Sequence, residues 1–243
     1  MTTNEEERSK SGEKILRYQA NNTKKTRVIG ANEFTTAIEG HIEKNLGKVS
    51  TVLHELVSEI VHVDIEVIVP TTQRSFYLLV TNGMSALPMN TPKNAQDKKY
   101  AELVLSLPSN WPMTQEDLKD ERYNWPVQLL RELARFPHQY NTWLWVGHTV
   151  PNGNPIKSFA VNTKLCCALI LIPILVPESF RVFEASKDVT VHFLSLFPIY
   201  KEEMNFKLTS GVEPLYSLFE KNRITELLDI NRKNVCRKGL FQR

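Results

Sequence analysis

Two histidines and an aspartate, His54, His62 and Asp64, lie close enough in the chain to do chemistry together. His62 and Asp64 are two residues apart, so on an extended strand both side chains project from one face. His54 sits on the stretch before them. Two imidazoles and a carboxylate form a donor set for a divalent metal, and a metal so held activates water for hydrolysis. The spacing matches no compact metal motif, because His54-Glu55 is not followed by the histidine that a zinc-protease helix needs four residues on. Glu55, Glu59, Asp64 and Glu66 add carboxylates for acid–base work, but nothing in the spacing fixes a pair at a useful separation. A solvated outer strand face accounts for the same residues. Gly83-Met84-Ser85 lacks the second glycine of a nucleophile elbow, and there is no glycine-rich phosphate loop or dinucleotide fingerprint. The expectation is of no catalytic residue, no resident metal and no cofactor. A metal-dependent hydrolase using His54, His62 and Asp64 stands as the reading from a different class.

The elements that must position these residues are mostly strands. Ala37, Ile38, Ile42 and Leu46 recur at helical spacing and predict a helix over 35–46 that ends at Gly47. Residues 49–56 form a candidate first strand. Residues 62–69 alternate polar and apolar, which predicts a strand with one buried face, ended by Pro70. Residues 75–81 read as a more fully apolar strand before the Asn82-Gly83 turn signal. Residues 100–107 alternate again. A helix is predicted over 125–136, with Pro126 at its first position, where the missing N–H does no harm, and Pro137 as its stop. Trp143-Leu144-Trp145-Val146 then reads as a strand ended by Gly147. Strands over 165–172 and 190–197 follow, and the ending turns helical over 201–209, 213–221 and 224–228. An early helix, consecutive strands, one inserted helix and late helices predict an α+β fold: one mixed, mostly antiparallel sheet with flanking helices. The expected domain runs from 32 to 236, after a polar N-terminal extension (1–31) and before a basic tail (237–243).

Charge is unevenly spread along the 243 residues. Residues 1–30 carry seven Lys/Arg against four Glu, residues 230–243 carry five Lys/Arg and no acid, and the body between holds 18 basic against 23 acidic residues. A mildly acidic body with basic ends does not fit a nucleic-acid binder, which gathers basic residues on a folded face. Cys166 and Cys167 are adjacent in an apolar run, where neighbouring side chains point to opposite faces and do not bridge; with Cys236 they read as thiols of a reducing compartment. The polar start (MTTNEEERSKSGEK) lacks the apolar core of a secretory signal. The longest apolar run, 165–177, is broken by Pro173 and shorter than the ~20 residues of a membrane span. A cytoplasmic protein with no membrane and no nucleic-acid partner is expected. Residues 1–30, with one apolar cluster at Ile15, Leu16 and Tyr18, read as a frayed segment or a peripheral helix.

Trp111, Trp125, Trp143 and Trp145 fall within 35 residues of one another. Part of that cluster is core. A remainder exposed beside a strand would anchor a partner, since Trp and Arg are over-represented among interface hot spots.

The same stretch carries a family resemblance. Trp125-Pro126, Leu129, Leu133-Ala134-Arg135-Phe136, Asn141-Thr142 and Gly147-His148 resemble the motif of the suppressor-of-fused-like domain. Upstream, His54-Glu55, Ser58, 61–65, Pro70, the run Leu79–Ser85 and Pro88-Met89 resemble its bacterial single-domain branch. So do Tyr100-Ala101-Glu102-Leu103, Leu107-Pro108 with Trp111-Pro112, residues 198–203, Leu227-Leu228-Asp229 and 232–235. The likeness spans about 35 to 236. It implies a domain without known catalysis. Eukaryotic relatives hold a transcription factor's peptide as an added strand, and some bacterial relatives are taken to be immunity proteins of secreted toxins. The expected function is a non-catalytic protein-binding module, an immunity protein or antitoxin that neutralises a cognate toxin. A regulator that sequesters a peptide by strand addition is the alternative. The expected partner-binding residues are Trp125, Arg135, Asn141, Trp143, Trp145 and His148.

Overall fold

Eight strands hydrogen-bond into one sheet that is covered by helices on both faces. The computed structural model describes residues 7–18, 33–55 and 60–237. Ser58, the end of the strand expected over 49–56, and the basic tail beyond 237 lie outside these residues.

In chain order the elements are helix α1 (Glu33–Leu46), β1 (Thr51–Leu53), β2 (Asp64–Ile68), β3 (Phe76–Asn82), β4 (Tyr100–Pro108), helix α2 (Glu121–Gln139), β5 (Thr149–Pro151), β6 (Cys167–Leu171), β7 (Val182–Ser186), β8 (Val189–Ile199), helix α3 (Lys201–Ser210) and helix α4 (Val212–Lys221). The strand order is β1-β2-β3-β4-β8-β6-β5, with β7 pairing the first part of β8. Only β4 and β8 run parallel, with Tyr100 opposite Val191; every other pairing is antiparallel. The α+β class and mostly antiparallel sheet read from the sequence are what the chain adopts.

Strand periodicity divides the core. Leu103, Leu105 and Leu107 of β4 face α2, packing with Leu129, Leu130 and Leu133. Val104, with Leu78 and Val80 of β3, faces Ile38 and Ile42 of α1. A third cluster joins Leu169 of β6 and Phe197 of β8 to Met204 of α3 and Phe219 of α4. Because α1 covers the second face, the alternation in β2 and β4 does not mark a solvated side. Glu66, Glu102 and Ser106 are all buried, against the expectation of one exposed face.

Several boundaries also differ from the sequence reading. Helix α2 begins at Glu121, capped by the Asp120 side chain on the Arg122 N–H, and both Pro126 and Pro137 lie inside it. Pro126 cannot donate to the Arg122 carbonyl four residues back. The Asn162 side-chain amide donates to that carbonyl instead at 3.0 Å, and the Trp111 indole donates to the Tyr123 carbonyl at 3.1 Å. The expected strand over 143–146 is an irregular segment. The Leu144 N–H meets the Met89 sulfur and the Trp145 N–H meets the His148 ring, so neither joins a ladder. The short strand β5 follows it. Residues 224–228 are not helical: Leu228 N–H donates to the Ser106 carbonyl, which extends the β4 edge. Cys166 and Cys167 are free and buried. Residues 7–18 form a non-helical strap, tied by a Lys207–Glu13 ion pair and by the Tyr18 hydroxyl on Thr142.

Candidate functional site

The centre of the scaffold is a buried carboxylate. Glu102 accepts hydrogen bonds from the Thr81 and Ser85 hydroxyls at 2.5 and 2.6 Å, and from the Gly83 and Ser85 N–H groups at 3.0 and 2.9 Å. Burial pushes its pKa up, opposed by those same donors. The run Thr81–Ser85 therefore wraps a carboxylate of the adjacent strand, and Gly83 at φ 135° lets the chain turn there. Nothing in this cluster is exposed to a ligand; it positions β3 and the turn after it.

The three residues with which the sequence reading began do come together. His54 Nδ1 lies 3.1 Å from one Asp64 oxygen, and His62 Nε2 lies 3.0 Å from the other. The Glu55 N–H also donates to Asp64 at 3.0 Å. Two imidazoles are thus oriented by one carboxylate, an arrangement that fixes tautomers and holds the turn after β1. Among the described residues, no group of three His, Cys, Asp or Glu side chains is placed to hold a metal ion. Beside this cluster, Arg131 of α2 donates to the Leu53 and His54 carbonyls at 2.7 and 3.1 Å. Arg135 pairs with Glu55, whose other oxygen accepts the Val63 N–H at 3.2 Å.

The six residues expected to bind a partner fall into two groups. Trp125 is core: it stacks on Phe159 with rings 3° from parallel and meets Trp111 edge-on. Arg135 faces inward on Glu55 rather than interacting with the helix end. Arg135→Ala should therefore lower stability by about 2 kcal/mol, because the nearly buried Glu55 carboxylate loses its Arg135 counter-charge. A urea-unfolding series checks it. Asn141, Trp143, Trp145 and His148 lie together on the segment after α2. Asn141 adopts φ 50°, a conformation that asparagine tolerates, and its carbonyl accepts the Asn90 amide at 3.1 Å. The Trp143 ring meets His148 edge-on, and the half-buried Trp145 ring meets His192 edge-on with Lys98 4.9 Å from its centre.

Trp145 borders exposed apolar side chains that the sequence reading did not single out. His192 is the cross-strand partner of Val182, which is 45% exposed. Gly147 donates to the Ile170 carbonyl, two residues before Ile172, and Ile172 and Ile174 are 50% and 49% exposed. The loop that carries them is held by the buried Glu226, which accepts the Ile174 and Leu175 N–H groups at 3.0 and 2.7 Å. The run Ile172-Pro173-Ile174-Leu175-Val176-Pro177 was a legible signal, since two prolines in an apolar stretch disfavour continuation of a strand.

Acid sensitivity follows from His138 of α2, whose Nε2–H donates to the Met84 carbonyl at 2.9 Å. Burial lowers its pKa, partly opposed by that bond. The folded state thus resists a proton that the unfolded chain accepts near pH ~6.5, and His138 contributes stability above that pH that is lost as pH falls. The stability gap between the wild type and His138→Gln should narrow from about pH 8 to about pH 5. Urea midpoints at both pH values check this, and a constant gap contradicts it.

An α+β sheet covered on both faces, with α2 on one face and a segment bearing Trp143 and Trp145 after it, defines a class of domain, and comparison with known proteins places it. The family model for the suppressor of fused protein (SUFU) matches residues 59–233. The chain belongs to the suppressor of fused family. A solved suppressor-of-fused homolog from Neisseria gonorrhoeae shares 18% identity, over 85% of this chain and 99% of its own, with a TM-score of 0.63. A solved Sufu–Fu complex shares 14% identity, over 83% of this chain and 91% of that one, with a TM-score of 0.55. Both likenesses are of fold. No curated protein matches the chain. Among the described residues, no helix is long and apolar enough to cross a membrane.

Proposed function

We propose that this protein is a non-catalytic binding module, an immunity protein or antitoxin that neutralises a cognate toxin by direct contact. Family membership carries the reading, and a relative of the same fold is known in complex with Fu. The proposed contact face is the segment Asn141, Trp143, Trp145 and His148, extended by Ile172, Ile174 and Val182. Support comes from exposed aliphatic side chains beside a half-buried tryptophan, the composition of an interface centre. Glu226 holds the loop before a partner arrives, which lowers the ordering cost of binding. A cytoplasmic location fits a protein that intercepts a toxin inside the cell.

Ile172→Glu with Val182→Glu tests this face. Both positions are exposed, so unfolding should shift by no more than about 0.5 kcal/mol each, while capture of the partner should weaken at least about tenfold. Unchanged capture rejects the face.

A second reading, strand addition of a partner's peptide, gains support from β7. It pairs β8 along one edge, and no described strand pairs the other. Backbone N–H and C=O groups on such an edge are open to an extended segment. Val182→Pro or Glu184→Pro should abolish capture under this reading; full capture by both variants excludes it.

A further inference from the structure

A groove of about 680 Å³ runs along the segment after α4, walled on the far side by Trp111 and Tyr123. Its rim carries a residue that the backbone does not favour. Helix α4 ends with the Ile224 N–H on the Phe219 carbonyl and the Arg223 N–H on the Glu220 carbonyl, both 2.9 Å. This is the helix ending that places a left-handed residue just past the cap, where glycine is usual. The chain places Arg223 there, at φ 55°. A side chain at that conformation costs about 1 kcal/mol relative to glycine. The other helix ends with positive φ use Gly47, Asn141 and Gly211, residues that tolerate it. The position therefore presents a cation where the backbone itself favours glycine.

Arg223 is exposed and makes no ion pair or side-chain hydrogen bond with any described residue. Nearby, Lys233 Nζ donates to the Asn222 side chain at 3.2 Å and has no carboxylate partner among the described residues. Among the described residues Asp229 is the only carboxylate in the lining, and it already accepts the Asn231 N–H at 2.9 Å. Asn162, also in the lining, donates to the Arg122 carbonyl, and its buried Oδ1 has no partner among the described residues. The groove therefore offers two cations, an unfilled acceptor and an aromatic wall.

We infer that the groove captures an extended acidic segment of a partner protein. Its carboxylates meet Arg223 and Lys233, a backbone N–H satisfies Asn162 Oδ1, and an apolar side chain rests on Trp111 and Tyr123. Charge assistance makes such carboxylate contacts stronger than neutral ones. The inference rests on the protein-binding reading and adds the chemistry of the partner.

Arg223→Gly is the test, because it separates binding from folding. Glycine relieves the left-handed backbone, so the unfolding midpoint should stay or rise. The probe is a fluorescein-labelled peptide of three Asp-Leu-Ser repeats, with an Asn-Leu-Ser control. The full chain should bind the acidic peptide at least about tenfold more tightly than the control, with affinity falling as salt rises. Arg223→Gly should lose about tenfold, and Lys233→Gln a similar factor. Equal binding of the two peptides, or no loss in Arg223→Gly, overturns the groove. Capture of a whole partner protein unaffected by Arg223→Gly would remove the groove and leave the binding-module reading standing. An acidic peptide held while no protein partner is captured would do the reverse.

Discussion

Gly83→Ala should destabilise the protein by at least about 3 kcal/mol, which for a chain of this size lowers the melting temperature by roughly 6 to 12 °C. A Cβ built at position 83 would lie 2.0 Å from the His62 carbonyl oxygen, a backbone atom of β2's approach that cannot swing aside. The φ of 135° is also closed to a side chain without strain. Any shift that relieves the clash pulls the Gly83 and Ser85 N–H groups from Glu102, and a carboxylate fully out of water then loses donors. The loss of contact and the loss of hydrogen bonds act in the same direction. Thermal unfolding followed by circular dichroism checks the size; a variant within about 1 kcal/mol of the wild type would mean the turn can reorganise around the methyl group.

The second large effect belongs to the C-terminal segment. Arg232 donates to both oxygens of Glu203 at 2.7 and 2.6 Å, and to the Pro198 carbonyl at 3.2 Å. Its guanidinium lies 4.9 Å from the Tyr200 ring centre and 5.3 Å from that of Phe219. Glu203 is 0% exposed, and it also accepts the Tyr200 and Val235 N–H groups. Arg232→Ala leaves that carboxylate buried without its counter-charge, a loss of about 3 to 5 kcal/mol. Adding Glu203→Gln removes the stranded charge while keeping an acceptor. The double variant should therefore be more stable than Arg232→Ala alone. Additive losses across this cycle would show that the pair is not coupled.

The sheet was legible where apolar runs are long. β3, β4 and β8 fall within a residue or two of their expected spans, because each supplies side chains to at least two cores. What misled the reading of β2 and β4 was the assumption that Glu66 and Glu102 face water. Glu66 lies under α1, through Asn82, which also meets the Thr35 carbonyl, and Glu102 is wrapped by the Thr81–Ser85 turn; both are long-range events that a local period does not report. Pro126 and Pro137 misplaced the ends of α2 for a related reason: Asn162, 36 residues on, supplies the bond that Pro126 forgoes. Trp143–Val146 looked like a strand by composition, yet its N–H groups bond to the Met89 sulfur and the His148 ring. β5 and β7 are short or half-exposed and leave little periodic signal. Of the expected site, the cluster of Trp143, Trp145 and His148 was legible as aromatics close in sequence. Val182 and Arg223 were not, because their meaning lies in exposure and backbone conformation rather than residue type.

Co-expression tests the central claim most directly. The products of the genes flanking this one are each induced in a sensitive host with and without this protein, and each pair is then tested by pull-down. The binding-module account predicts rescue of growth and a stable complex that Ile172→Glu with Val182→Glu weakens. Rescue without a complex would contradict neutralisation by direct contact, and neither rescue nor complex would contradict the immunity reading.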